Sequence, residues 1–167
     1  MNDSITNLKK THLLNEDDRY LIFTLGIEQF AIPLLKVREV IASVETRPVP
    51  HSPPHFKGLL DLRGVVISVI DLRIKMKTSK KESGAETSII ILDHGTEPIG
   101  VIVDSVDSVH NIQKSEISAP PTTHGGFNSD FVTGVFSKEK KMILLLDIIA
   151  SLGVEDLKQI KKQSLAA

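Results

Sequence analysis

Residues 58–71 read GLLDLRGVVISVID, and this stretch decides the fold. One apolar run ends at Gly64, and a second continues without a charged residue from Val65 to Ile70. Short runs that are rich in Ile and Val and bounded by Gly or Asp are typical of β-strands. Because the second run lacks alternating polar residues, it predicts a strand that is covered on both faces or curled into a barrel.

Similar short apolar runs follow one another along the chain and predict an all-β protein with few helices. One short helical segment is predicted at 35–41, where Val37, Val40 and Ile41 have helical spacing. A second, amphipathic helix is predicted at 154–163, with lysines near its end, where the helix dipole favours them. The apolar runs occupy residues 20–25, 30–35, 59–62, 65–72, 88–92, 99–103, 131–136 and 142–149.

An internal repeat organises these runs into two halves, 20–76 and 88–152. Each half has the same order of strands, Gly turns and loops, and ends in an apolar strand followed by Asp. About five short strands per half suit a small barrel, so the repeat predicts two barrels that pack around a shared core with a groove at their seam. The matched pairs include Gly26 with Gly95 and Ile32 with Val101 at an offset of 69, and Gly58 with Gly134 and Asp71 with Asp147 at an offset of 76.

The composition excludes several classes of protein. The chain has 167 residues, 41% of them hydrophobic, and its formal net charge of -1 argues against general binding to nucleic acid or anionic membranes. The absence of Cys excludes disulfide scaffolds, iron–sulfur clusters and Cys nucleophiles. No apolar run reaches the roughly 20 residues of a membrane span, and residues 1–19 lack the apolar region of a secretory signal. We therefore expect a cytoplasmic protein without direct membrane insertion.

No catalytic or metal-binding motif is present in the sequence. His51 and His55 are four apart, but residues 52–54 (Ser-Pro-Pro) break any helix between them. The equivalent carboxylates Asp71 and Asp147 follow strands, where we expect them to cap the next turn by accepting backbone N–H groups. The sequence thus predicts no catalytic residue, no metal and no cofactor.

Two further features suggest either structural residues or a partner-binding surface. Arg63 stands beside the Gly64 turn, and Glu39 is a candidate partner for its guanidinium. This pair is either a structural ion pair or a device that shapes a binding surface. Four apolar residues are expected near the seam, either in the core or in a groove that accepts the apolar face of a partner helix. They are Leu34, Val37, Val40 and Val106.

Several stretches resemble the CheW family of bacterial chemotaxis coupling proteins. FAIPL at 30–34 and VREVI at 37–41 resemble the second strand and helical turn of that family. GLLDLRGVVISVIDLR at 58–73 resembles its central signature, G-x-x-N-L-R-G-x-x-x-P-x-x-D-L, with Asp61 in place of the usual Asn and Ser68 in place of the usual Pro. Three further stretches resemble later strands of that family: GVIVDSV at 100–106, VTGV at 132–135 and LLLD at 144–147.

The resemblance covers about residues 20–152 and implies a domain organisation. It implies two five-stranded SH3-like barrels related by a pseudo-twofold axis, of roughly 20–76 and 88–152, with exchange of chain between them possible. Residues 1–19 would form a flexible N-terminal segment, and residues 153–167 a C-terminal helix and tail.

The resemblance also implies a non-enzymatic adaptor that joins the cytoplasmic tips of chemoreceptors to the regulatory domain of the CheA histidine kinase. Such an adaptor would be cytoplasmic and recruited to receptor arrays at the membrane. Carried over by position, Glu39 and Arg63 would pair and shape the receptor-binding region. Receptor contacts would involve Leu34, Val37, Val40 and Val106, and kinase contacts would involve Val44, Thr46 and Val49.

Two alternatives remain open from the sequence. The first is a coupler of another chemosensory pathway, such as surface motility, which would use the same fold. The second is a small-barrel ligand-binding protein or enzyme, which would need a deep polar pocket with convergent titratable groups.

Overall fold

The computed structural model describes residues 15–78, 87–120 and 131–166, and strands dominate them. Among the helices, α1 (Leu72–Lys75) and α2 (Ile148–Ser151) are single turns, and α3 (Val154–Ala166) is longer. Short 3₁₀ turns occur at Glu16–Asp18, Leu34–Lys36 and Lys114–Glu116. The all-β prediction is thereby confirmed. The strands are β1 (Arg19–Leu25), β2 (Glu28–Pro33), β3 (Val37–Ala42), β4 (Phe56–Leu62), β5 (Val65–Asp71), β6 (Ser88–Leu92), β7 (Ile99–Val103), β8 (Ser105–Asn111), β9 (Val132–Lys138) and β10 (Lys141–Leu146).

The strands form two five-stranded sheets, and each sheet takes strands from both halves of the chain. Sheet A has the order β8-β1-β2-β10-β9, and sheet B has the order β3-β6-β7-β5-β4. The β2–β10 and β5–β7 pairs are parallel, and the other pairs are antiparallel. Replacing each strand of one half by its counterpart in the other converts one order into the other. This correspondence is the predicted pseudo-twofold relation.

Neither barrel is therefore built from one contiguous half. The stretch 20–76 contributes two strands to sheet A and three to sheet B, and 88–152 contributes the reverse numbers. Of the predicted N-terminal segment 1–19, residues 1–14 lie outside the described residues. Glu16–Asp18 form a turn, and Arg19 already begins β1.

The matched positions of the repeat have matching structural roles. Gly26 and Gly95 have φ angles of 63° and 59° in the equivalent β1–β2 and β6–β7 turns. Asp71 accepts a hydrogen bond from the N–H of Arg73 at the start of α1, and Asp147 accepts one from Ala150 at the start of α2. The prediction that both carboxylates cap the following turn is confirmed.

Three apolar clusters explain why the strands lack polar alternation. One cluster is shared by both sheets, and each sheet also encloses a smaller cluster of its own. Along β6, Ile90 and Leu92 point into the shared core, whereas Ile89 and Ile91 point into the interior of sheet B. Strands buried on both faces need apolar side chains at every position. The first part of β5 is an exception, because Val65 and Val66 are 44% and 38% exposed.

Side-chain contacts between the two edge strands show that each sheet curls toward a barrel. In sheet B, Glu39 on β3 meets Arg63, which directly follows β4. In sheet A, Nζ of Lys138 on β9 lies 3.1 Å from Nδ1 of His110 on β8. Both contacts join the first and last strands of a sheet, which approach each other only if the sheet closes.

The helical segment predicted at 35–41 is wrong, because residues 37–42 form strand β3. The pairing of β3 with β6 shifts by one residue between Val37 and Glu39, as at a β-bulge. An inserted residue inverts the alternation, so the apolar spacing resembles that of a helix. β-branched residues at Val37, Val40 and Ile41 favour the strand.

The β4–β5 and β9–β10 turns have similar left-handed backbone conformations, but only the first has a glycine, Gly64, at its second position, where the second has Lys140. This difference gives a first prediction. Arg63 and Gly64 connect β4 to β5 with φ angles of 54° and 85°, and Glu139 and Lys140 connect β9 to β10 with 51° and 65°. Left-handed conformations cost a non-glycine residue about 1–2 kcal/mol. We expect Lys140→Gly to raise the free energy of unfolding by about 1 kcal/mol, measured by urea titration. Lys141→Gly is the control: Lys141 is the first residue of β10, and glycine in a strand should destabilise the protein.

Candidate partner-binding surface

Three of the four apolar candidates lie on the shared-core side of their strands, and Leu34 lies in the 3₁₀ turn that precedes β3. Val37 is opposite Leu92 and Val40 is opposite Ile90, and both partners belong to the shared core. The bulge in β3 therefore places Val37 and Val40 on one face, although they are three residues apart. On the other sheet, Val106 is opposite Phe23, which also belongs to the shared core.

These candidates differ in exposure. Leu34, Val37 and Val106 are half-buried and pack against the shared core. Val40 is 39% exposed, and it continues the same face of β3 toward solvent. The structure thus brings three of the residues to the rim of the shared core and leaves the fourth, Val40, more exposed on the edge strand β3.

Glu39 and Arg63 meet on the opposite side of β3. The two guanidinium nitrogens of Arg63 lie 3.3 Å from the two carboxylate oxygens of Glu39. Asp61 fixes the turn by accepting the N–H of Gly64 at 2.8 Å, a bond that the usual Asn could also accept. Because the Arg63 side chain is 76% exposed, the pair contributes at most about 1 kcal/mol. The Glu39–Arg63 pair therefore fixes the position of the β4–β5 hairpin next to β3 but adds little to the stability of the fold.

The three kinase-contact candidates lie on the 43–55 connection between β3 and β4. Val44 is 47% exposed. Thr46 is half-buried, and its hydroxyl donates to the carbonyl of Lys57 at 2.9 Å. Val49 is half-buried and packs against the shared core. Of the three, Val44 is therefore the most available to a partner.

A buried charge network at the junction of the two sheets was not anticipated from the sequence. Arg73 donates to both oxygens of Asp71 at 2.9 and 2.8 Å and to Asp104 at 3.2 Å. Asp104 also accepts the N–H of Gly26 at 2.6 Å, so the network connects the end of sheet B to the β1–β2 turn of sheet A. Asp71 and Asp104 are 0% and 1% exposed.

Electrostatics shows which group sustains this network. Burial alone would raise the pKa of the Asp71 carboxyl, but the hydrogen bonds and charge of Arg73 outweigh burial and hold that pKa below its usual range. The hydrogen bond to Asp71 likewise raises the pKa of Arg73. Asp71 was expected only to cap a turn, and Asp104 lies too far along the chain for spacing to reveal the contact.

A second cluster, which we call the α3 clamp, consists of His55, Lys75 and Asp156. Asp156 receives Nζ of Lys75 at 2.6 Å on one oxygen and lies 2.5 Å from Nε2 of His55 on the other. The N–H of Gly153 also donates to it at 3.1 Å. Burial alone would raise the pKa of Asp156, but hydrogen bonds from Lys75 and His55 lower it. No local sequence signal joins residues this far apart.

The described residues contain no set of three His, Asp or Glu side chains placed to hold a metal ion. A surface depression of about 360 Å³ lies beside the β4–β5 hairpin and α3, and Glu97 is the one titratable residue among its described lining residues. A single carboxylate does not make the convergent set of groups that a catalytic site requires. Within the described part of the chain, no helix is long and apolar enough to cross a membrane.

Two interleaved five-stranded barrels with partly exposed apolar residues define a duplicated all-β module. Residues 19–155 match the family model for the CheW-like domain, so the chain belongs to the CheW-like domain family. It is 31% identical over 138 residues to the chemotaxis protein CheW of Klebsiella aerogenes, covering 83% of each chain. It is 27% identical over 144 residues to chemotaxis protein CheW of Rhizobium meliloti, covering 86% of this chain and 92% of that protein.

A solved structure has the same fold. The crystal structure of the scaffolding protein TtCheW from Thermoanaerobacter tengcongensis superposes with a TM-score of 0.76 at 28% sequence identity. The superposition covers 84% of this chain and 95% of that one. The two-barrel architecture expected from the resemblance is thereby confirmed.

Proposed function

We propose that this protein is a non-enzymatic adaptor that couples chemoreceptors to the CheA histidine kinase in a chemotaxis array. The observation that carries the proposal is the family match over residues 19–155, which spans both barrels. Relatives named as chemotaxis and scaffolding proteins support this role. The adaptor would work in the cytoplasm and be recruited to receptors at the membrane.

The receptor-binding surface would be the apolar rim formed by Leu34, Val37, Val40 and Val106. Apolar residues at the edge of a core can accept the apolar face of a receptor helix without rearrangement of the fold. Val40 would be the most accessible anchor, since it is the most exposed of the four. The Glu39–Arg63 pair would fix the hairpin next to this rim.

The kinase would bind the 43–55 connection, with Val44, Thr46 and Val49 as the contact residues. Separate surfaces allow one molecule of the adaptor to hold both partners together. A signal can pass through such an adaptor only if its affinity differs between states of its partners.

Val40→Asp is expected to weaken binding of a purified receptor signalling domain by at least about a hundredfold. A receptor helix would bury the unpaired carboxylate, which costs several kcal/mol, and about 1.4 kcal/mol corresponds to a tenfold change in affinity. In the free protein the carboxylate is hydrated, so the loss of stability should stay within about 1 kcal/mol, the range of strand propensities, and kinase binding should change little. Isothermal titration calorimetry with each partner and thermal unfolding give the three readouts.

Met142→Asp is the matched control, because Met142 is 53% exposed on strand β10 and is not among the residues assigned to either surface. It should leave both affinities unchanged. A folded Val40→Asp variant that binds the receptor as tightly as wild type would place the receptor surface elsewhere. Val37→Asp is a less clear test, since Val37 packs against the shared core and its substitution would also destabilise the protein.

A further inference from the structure

The α3 clamp joins three segments that are distant in the sequence. His55 ends the 43–55 connection, Lys75 belongs to α1, and Asp156 lies in the first turn of α3. The Asp156 side chain is 6% exposed, against 17% for His55 and 22% for Lys75. A carboxylate this deeply buried is retained at low cost only when its partners stay in place.

Several contacts hold the 43–55 connection, among them the Thr46 hydroxyl bond and the packing of Val49 described above, and backbone pairing adds further ones. Near its start, Arg47 exchanges two backbone hydrogen bonds of 2.8 Å with Leu59 on β4. At its end, the carbonyl of His55 accepts the N–H of Asp71 at 2.7 Å, and the His55 ring meets Asp156. Between these points the backbone includes His51 with a φ of 60°, a conformation that a non-glycine residue adopts only when its surroundings enforce it.

We propose that α3 braces the 43–55 connection through the α3 clamp, with Asp156 as a positioning residue for the kinase-contact surface. The part that concerns the kinase rests on the function proposed above. If Asp156 loses its charge, Lys75 and His55 lose their common partner in a half-buried site. Both side chains are then better hydrated if they rotate toward water, and rotation of His55 displaces the backbone at the end of the 43–55 connection.

Hydrogen–deuterium exchange of the full chain tests the brace directly. In Asp156→Asn, the hydrogen-bonded amides within 44–56, among them those of Arg47 and Phe56, should exchange at least about tenfold faster than in wild type, which is the effect of one lost charged hydrogen bond. The amides of β6 and β7 should change much less, because these strands lie in the core of sheet B. Glu155→Gln is the control, since Glu155 is an exposed neighbour on α3 and should leave exchange unchanged.

A pair of variants at Lys75 separates positioning from a general loss of stability. Lys75→Arg keeps the cation and should preserve protection of 44–56, whereas Lys75→Met should reduce it as Asp156→Asn does. This pair also decides the question if Asp156→Asn does not fold. Equal exchange in wild type, Asp156→Asn and Lys75→Met, or a uniform rise over all strands, would overturn the brace.

Binding measurements on the same variants address the kinase. Asp156→Asn should weaken binding of the kinase regulatory domain by about tenfold and leave receptor binding unchanged. Unchanged kinase affinity despite faster exchange of 44–56 would overturn the positioning role of Asp156. If wild type itself does not bind the kinase while the exchange pattern is as expected, the proposed function fails and the brace is supported.

Discussion

Arg73→Ala is expected to lower the free energy of unfolding by about 3–5 kcal/mol, because it removes the cation that two buried carboxylates share. Asp71 and Asp104 are almost fully buried, and Arg73 donates to both of them. Without Arg73, Asp71 keeps a backbone hydrogen bond from residue 73, and Asp104 keeps the one from Gly26. These neutral donors do not replace a guanidinium. Urea denaturation of both proteins measures the difference.

Arg38→Ala is the matched control, because Arg38 also pairs with an aspartate, Asp93, at 2.6 Å, but on the surface. An exposed pair contributes at most about 1 kcal/mol, so this variant should remain close to wild type. A loss below about 1 kcal/mol for Arg73→Ala would show that the buried carboxylates do not depend on the guanidinium.

The acid side of the stability curve gives a second readout of the same network. The pKa of Asp71 is held below its unfolded value, so its contribution to stability is fully present above the unfolded pKa and is lost as pH falls. Wild type should therefore begin to lose stability below about pH 5 and should go on losing it as pH falls through the unfolded Asp pKa of about 3.9 toward the lower pKa of the folded protein. In Arg73→Ala, the side chain that lowers the pKa of Asp71 most is gone, so this acid-dependent loss should be smaller or reversed.

Gly58→Ala is expected to cost about 3 kcal/mol or more, because no Cβ fits at this position. An added Cβ would lie 2.1 Å from the carbonyl oxygen of Arg47, and the φ of 126° is itself unfavourable for a side chain. The obstacle is backbone that is paired with Leu59, so it cannot move without breaking that bridge. Thermal and urea unfolding measure the loss.

Gly64→Ala separates the steric effect from the conformational one. Gly64 has a φ of 85°, but an added Cβ would meet no atom within 4 Å. The cost there should be about 1–2 kcal/mol, which is the penalty of the left-handed conformation alone. If Gly58→Ala cost no more than Gly64→Ala, the close approach of the 43–55 connection to β4 would be incorrect.

Sequence patterns predicted the local elements and the repeat, because both are recorded in short-range spacing. The runs at 59–62 and 65–72, with Gly64 between them, lie in the β4–β5 hairpin, although β4 begins three residues earlier at Phe56 and Leu72 belongs to α1. The segment 35–41 was misread since a bulge imitates helical spacing. The sharing of strands between the halves depends on contacts such as Gln29 with Ile143, which leave no local trace.

The candidate site divides in the same way. Glu39 and Arg63, which the sequence suggested as partners, do meet at 3.3 Å. The solvent exposure of the three valines was not predictable from the sequence. Val37, Val40 and Val106 are the same residue type, yet Val37 and Val106 pack against the core and Val40 is more exposed. The contact of Asp156 with His55 was invisible because 101 residues separate the two side chains.

The exchange of strands between the halves has a consequence for synthesis on the ribosome. Sheet A cannot close until β10 has left the exit tunnel, because β2 pairs with β10 across more than a hundred residues. The first half thus emerges with β1 and β2 lacking their later partners, and such long-range pairing slows folding and leaves strand edges open to aggregation. A nascent chain of this architecture therefore benefits from being kept apart from its neighbours until β10 has been translated.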